Sequence, residues 1–572
     1  MRVGKKVWWD LFLNLKKNAY PEQMKKSIFY IIVILFLNTS VTYAQLLKNK
    51  EAFSRADSLR GSLTSPLRTC YDINYYHLDL KINPSERFIS GSNEFRFTAT
   101  KNFNQLQFDL FDNLDIEKIV YQGQEILFTR EFNAVFVTFP EDIIKGKQDV
   151  FTVYYSGKPT VAKNAPWDGG FVFAKHDDEK DWIATACQGV GASIWWPNKD
   201  QQADEVDSAL ISISVPNELM NVSNGRLVST TDLKNGYTKY DWKVVNPINN
   251  YNISVNAANY FHFSDSYKGL NGDLTLDYYV LPENEAKARK QFLDVNRMLE
   301  AFEHWFGPYP FYKDGFKLVE TPHLGMEHQS AVAYGNKYLN GYLGRDRSGT
   351  GWGKKWDFII VHEAGHEWFG NNITAKDIAD MWIHESFTDY SESLFVEYFY
   401  GKPAGAEYVI GLRKNIQNDS PVIGPYEVNK EGSSDMYDKG ANLLHTVRNI
   451  INDDAKWREI LMGLNSTFGK KTTTTKEVVD YINTQSGKNL TKVFDQYLKF
   501  KNIPVLEFKQ DGKKVLYRWL SDVEDFDMPI QLEGSETYHY PKTNWRVLKT
   551  TTSFKNLKVD KDYFIDVKFL EN

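Results

Sequence analysis

From Tyr71 to about residue 263, apolar and polar positions alternate in short runs. Among them are Tyr76-His-Leu-Asp-Leu-Lys-Ile, Asn93-Glu-Phe-Arg-Phe-Thr-Ala, Ala134-Val-Phe-Val-Thr-Phe and Val150-Phe-Thr-Val-Tyr-Tyr. A period of two turns one face of each run toward a core, and Asn, Gly, Pro and Asp separate the runs at hairpin spacing. The stretch therefore predicts an all-β domain of sandwich or saddle type. Leu274-Thr-Leu-Asp-Tyr-Tyr-Val-Leu reads as a last strand before the period lengthens. Residues 283–306 carry Ala286, Phe292, Val295, Met298, Leu299, Phe302 and Trp305 on one helical face, and Gly307-Pro308 stops the pattern. Helical patterns dominate from Asp357 to about Lys499. After Pro504 alternation returns in Val515-Leu-Tyr-Arg-Trp, Met528-Pro-Ile-Gln-Leu and Tyr563-Phe-Ile-Asp-Val-Lys-Phe, which fits a small β-sandwich. Residues 46–69 are polar and read as a loosely packed lead-in. The order β, α-rich, β gives a multidomain α+β chain divided as 45–270, 271–503 and 504–572.

Residues 1–44 read as a targeting segment. From Met24 the chain runs Lys25-Lys26-Ser27, then ten apolar residues over 28–37, then a polar stretch ending Thr42-Tyr43-Ala44. That is a basic start, an apolar run too short to span a bilayer, and small residues before a cleavage point. The expectation is cleavage after Ala44, with Met24 as an alternative start. The product would be periplasmic or secreted, with no stable membrane anchor once the signal is removed; an uncleaved anchor is the competing reading. The formal net charge is −6 and no basic run appears, so no nucleic-acid partner is expected. Cys70 and Cys187 are the two cysteines, too few for a disulfide framework; one bridge and two buried thiols both remain open.

The chemistry centres on His362-Glu363-Ala-Gly-His366. Two histidines four apart on a helix share a face, with Cβ atoms about 5–6 Å apart, and can reach one metal. Glu363 points to a neighbouring angle, where it can address a water. Trp356, Phe358, Ile359, Ile360, Val361, Trp368 and Phe369 predict a buried helix, stopped by Gly370-Asn371-Asn372. Trp382-Ile-His-Glu-Ser-Phe opens a second helical pattern reaching about Tyr400. A turn between antiparallel helices would return Glu385, nineteen positions after His366, to the histidines. Two imidazoles and one carboxylate leave a fourth tetrahedral position open, as in catalytic zinc sites. Asp389, on the same face as Glu385, is a candidate to orient a ligand histidine.

These residues resemble the zinc aminopeptidases of the gluzincin group, the family of aminopeptidase N and the leukotriene-epoxide hydrolase. The match is His362-Glu-Ala-Gly-His366 and Glu385 within His366-Glu-Trp-Phe-Gly-Asn and Trp382-Ile-His-Glu-Ser-Phe. Leu324-Gly325-Met326-Glu327-His328 sits where the family has Gly-x-Met-Glu-Asn, and Tyr437-Asp-Lys-Gly440 looks like its catalytic tyrosine segment. Cys187-Gln188 precedes Trp196-Pro197 at the spacing of its substrate-contacting glutamine. The likeness covers roughly residues 70–505.

The resemblance implies a β-rich N-terminal domain, a thermolysin-like α-rich catalytic domain and a small C-terminal β-sandwich, a short form without the large helical C-terminal domain. It implies one Zn2+ held by His362, His366 and Glu385, with Glu363 as general base then acid and Tyr437 sharing the oxyanion. Glu327, with Gly325, Met326 and Gln188, would grip the α-ammonium of peptides with a free N-terminus. The first peptide bond would then lie over the metal. Leu324 replaces the family's Gly and His328 its Asn, departures that bear on the path of the loop. Three rivals are a zinc endopeptidase of related fold, a lipid epoxide hydrolase, and a non-catalytic zinc-bearing envelope protein that binds peptides.

Overall fold

A computed structural model describes residues 53–570; the export-signal reading over 1–44 falls outside them. The alternating runs pair as their period predicts. Tyr71–Asn83 pairs antiparallel with Phe88–Ala99 and parallel with Ser208–Pro216, at the centre of an eight-stranded sheet. Its inward residues Tyr76, Leu78, Leu80 and Ile82 are fully buried. A three-stranded sheet of Phe103–Asp109, Ala134–Ile143 and Phe128–Glu131 contributes Phe108 and Phe139 to the same core. There Phe95 stacks on Phe151 at 4.5 Å. A further four-stranded sheet contains Lys180–Ala186, whose C-terminal end leads directly to Gln188. Both cysteines are buried and free: Cys70 Sγ donates to Leu67 O and Cys187 Sγ to Tyr251 O.

The next sheet has five strands in the order Phe261–Gly269, Gly272–Val280, Phe316–Glu320, Val332–Tyr334, Gly325–Met326. The expected division at 270/271 therefore falls in the turn of a hairpin whose two strands share one sheet. The helix expected over 283–306 forms as Glu285–Gln291 and α1 (Leu293–Phe306), broken at Phe292 with φ −74° and ψ 0°. Phe292 is drawn inward, 5.2 Å from Tyr278 and 5.0 Å from Tyr334 between ring centroids. Three more helices frame the site: α2 (Phe358–Gly365), α3 (Trp382–Tyr400) and α4 (Asp438–Ile451).

The tail forms a four-stranded sheet around Val505–Asp511 and Lys514–Leu520, plus a short hairpin, Ile530–Gln531 with Tyr538–His539. Its core residues Leu506, Phe508 and Trp519 are continuous with the helical core. Among the described residues no helix is long and apolar enough to cross a membrane.

Candidate active site

Asp357 caps α2, its carboxylate accepting from the Ile359 and Ile360 amides. Hydrogen bonds from Tyr334, Asn336 and Gln291 hold that carboxylate in place. The helix ends at Gly365 with His366 as its cap, and beyond it Phe369 (φ −128°, ψ 101°) and Gly370 (φ 128°) leave helical geometry. The break turns the Phe369 carbonyl back, and His366 Nδ1 donates to it at 3.0 Å. Only a residue without Cβ fits comfortably at 370, since φ is in the left-handed half and a Cβ would come 3.2 Å from His366 Nδ1. The rest of the motif is accounted for nearby. Glu367 accepts from Ser330 N at 2.7 Å, Trp368 Nε1 donates to Gly307 O at 3.0 Å, and Phe369 stacks on Phe387 at 4.6 Å. Asn371 Nδ2 donates to Glu327 O at 2.8 Å.

The α3 motif has the same economy. Trp382 Nε1 donates to Thr475 Oγ1, His384 Nε2 accepts from Ala375 N, and Ser386 Oγ donates to Met436 O at 2.6 Å. The last bond fixes the residue before Tyr437. It also needs Gly440, where a Cβ would fall 1.8 Å from Ser386 Oγ.

These constraints bring His362, His366 and Glu385 together, each with a ligand atom within 4.8 Å of the others. Glu385 Oε2 lies 3.4 Å from His366 Nε2 and 3.9 Å from His362 Nε2. Both Nδ1 atoms are engaged elsewhere, His362 Nδ1 by Glu392 Oε1 at 2.7 Å, so both Nε2 atoms are left facing the carboxylate. Burial holds His362 neutral, lowered to about 3. At His366 burial works the same way, but Glu385 and then Glu327 outweigh it and lift the ring to about 10. The cluster thus draws positive charge, and its two-nitrogen, one-carboxylate donor set suits zinc with an open position.

The carboxylate oriented on His362 is Glu392, not Asp389. Asp389 Oδ1 instead accepts from Arg347 Nη1 at 2.8 Å. Arg347 also reaches Asp438 at 3.0 Å and Glu392 at 3.7 Å, tying together α3 and the start of α4.

Apart from Asp389, every residue expected at the site lines one cleft of about 370 Å³. Gln188 Nε2 donates to Glu327 Oε1 at 2.5 Å and to Glu385 Oε1 at 3.0 Å. Burial raises Glu327; His366 opposes the shift and Glu385 adds to it. Glu363 is pushed well above the carboxylate range by burial and then by Glu327. Gly325 passes so close that a Cβ would meet Glu363 Oε1 at 2.6 Å. Met326 pairs with Ala333 in the strand.

The two departures leave the strand intact. Leu324 O accepts from Gly335 N at 2.7 Å. His328 is a fully buried packing ring, lowered to about 3 by burial and His323. Tyr437 stands at the start of α4, its ring 6.2 Å from that of His362.

In and behind the cleft lie residues that sequence reasoning missed. Glu392 had a signal, an acid seven positions after Glu385 on one helical face. Arg347, Glu431 and the 63% exposed Trp167 had none; each enters the cleft from a loop.

The chain matches the Peptidase M1 N-terminal domain over residues 72–251 and the Peptidase family M1 domain over 291–497. Endoplasmic reticulum aminopeptidase 1 of Homo sapiens is 22% identical over 351 residues, 59% of this chain and 37% of that protein. Tricorn protease-interacting factor F2 of Thermoplasma acidophilum is 21% identical over 431 residues, 70% and 50% of the two chains. Aminopeptidase N of Lactococcus lactis is 26% identical over 297 residues, 48% and 34%. The chain spans from about a third to half of the length of these curated relatives. A mutant M1 zinc metallopeptidase of Deinococcus radiodurans, bound to a Tyr-Ser-Ala substrate, has the same fold. It superposes with a TM-score of 0.64 at 19% identity, covering 79% of this chain and 98% of that one. With both family domains matched in order over more than half of the sequence, around a site whose donors converge as described, the chain belongs to peptidase family M1.

Proposed function

We propose that this protein is a zinc aminopeptidase that hydrolyses the first peptide bond of peptides with a free N-terminus. The observation that carries it is the buried Glu327, which half-buried Gln188 holds beside Glu385. A carboxylate kept there, away from bulk water, suits a substrate's ammonium group. Glu327 and His366 offer ligand atoms within 4.8 Å of each other. An amine seated on Glu327 therefore leaves its own residue's carbonyl near the metal ligands.

His362, His366 and Glu385 would hold the single zinc, which when bound supplies Lewis-acid polarisation of a carbonyl and acidifies water. Glu363 follows the first ligand, is the cluster member partly open to the cleft, and faces Gly325. From there its carboxylate takes a proton from the attacking water and returns it to the leaving amine. Tyr437 donates its phenol proton in a hydrogen bond to the oxyanion. The Lys25-Lys26 start, the apolar run over 28–37 and the small residues at 42 and 44 support export to the periplasm or the medium.

The test is the purified protein on a panel of aminoacyl fluorogenic amides, with N-acetylated counterparts as controls. Turnover of several free amides and of no blocked one is expected. Equal cleavage of both sets rejects the reading.

A further inference from the structure

A second recess opens at the far end of the cleft from Gln188 and Glu327. Both cavities are about 370 Å³, and they share Tyr342 and Arg347 as walls. Contacts order the groups along the cleft. Glu327 lies with His366 and Glu363 in one ligand-distance cluster. On the other side a chain of rings leads outward: Phe358 stacks 5.0 Å from His362, and Tyr342 lies 5.3 Å from Phe358. Beyond Tyr342 the recess is walled by Arg345, Arg347 and Lys414, with Asp346 and Asn415. A peptide anchored by its amine at Glu327, with its first bond at the metal ligands, sends its leaving part this way.

The charge there is uneven. Asp346 is satisfied by its own loop, accepting from Ser348 N, Ser348 Oγ and Gly351 N. Arg347 is committed to Asp389, Asp438 and Glu392. Arg345 and Lys414 are exposed, and among the described residues neither is ion-paired. Two unpaired cations therefore stand at the outlet of a cleft whose inner end is acidic.

Resting on the aminopeptidase reading, we propose that Arg345 and Lys414 form a carboxylate subsite. It would bind the free C-terminus of a short peptide on the leaving-group side, making the enzyme selective for short oligopeptides over amidated ones. Opposite charges at the two ends of the cleft match the opposite ends of such a peptide and fix its direction.

The test measures kcat/KM of the zinc-loaded full chain and of R345Q/K414Q. The substrates are di-, tri- and tetrapeptides in free and amidated form, with an aminoacyl fluorogenic amide as reference. At least one length with a free carboxylate should exceed its amide by about tenfold, the size of one charge-assisted contact, and chiefly through KM. The preference should shrink with added salt and vanish in the double variant, with the reference amide unchanged. Equal turnover of free and amidated peptides at every length, or a preference that survives R345Q/K414Q, overturns the subsite while the peptidase reading stands. No turnover of the reference amide overturns the peptidase reading, and the subsite with it.

Discussion

Glu392 Oε1 sits 2.7 Å from His362 Nδ1, on the helix that also carries Glu385. One helix would thus supply both a zinc ligand and the group that orients another. Glu392 is itself held by Tyr408 OH at 2.6 Å. Glu392→Gln is expected to weaken zinc affinity by about 10–100-fold, the usual range for such partners. Competition with a chromogenic chelator reads it directly, and unchanged affinity would show the contact to be structural only.

Glu363→Gln keeps the shape of the site and removes the base. Zinc content should stay stoichiometric while kcat falls by about 10²–10⁴-fold. Elemental analysis beside single-substrate kinetics separates this from loss of the metal.

Glu327→Gln removes the charge proposed to face the substrate's ammonium but keeps a hydrogen-bonding group for Gln188. The expected signature is a fall in kcat/KM of about tenfold or more for free aminoacyl amides. A fall confined to kcat would argue against an anchoring role.

Gly325→Ala forces a methyl to 2.6 Å from Glu363 Oε1 and 2.9 Å from Ile359 Cγ2. Misplacing Glu363 should cost activity by about 10²-fold with little change in melting temperature. Gly440→Ala differs, because its methyl meets Ser386 inside the α3–α4 contact. That overpacking should destabilise the fold by about 1–3 kcal/mol, visible in denaturant titration. It should also disturb Tyr437 through the Ser386–Met436 bond.

Metal removal is the simplest check on the cluster. A chelator should abolish turnover and lower the melting temperature, because an ion that binds only the folded state stabilises it. Zinc should restore both.

What was legible in the sequence was whatever repeats or sits at fixed spacing. His362, His366 and Glu385 follow from helical geometry, and the runs in Tyr71–Asn83 and Phe88–Ala99 from alternation. The resemblance supplied Gln188, Glu327 and Tyr437, distant in sequence and joined only by tertiary packing. The break at Phe292 was hidden because an apolar residue on the right face looks helical whether or not the backbone continues. Asp389 reads as the orienting carboxylate because it lies on the face of Glu385; Glu392 lies there too, and the position of Arg347 decides which of them turns to His362. Arg345 and Lys414 carry no pattern at all. They matter because a loop and a distant turn place them beside Tyr342.

The bond from Asn371 Nδ2 to Glu327 O joins the proposed amine anchor, just past the strand Gly325–Met326, to the irregular turn that follows α2. Under the proposed function, that tether would work as a ruler, with its zero at the substrate's first nitrogen and its mark at the bond to be cut. Trimming from one end would then be a matter of length built into the scaffold, whichever side chain the first residue carries. Loosening Asn371 should blur the mark before it touches the chemistry.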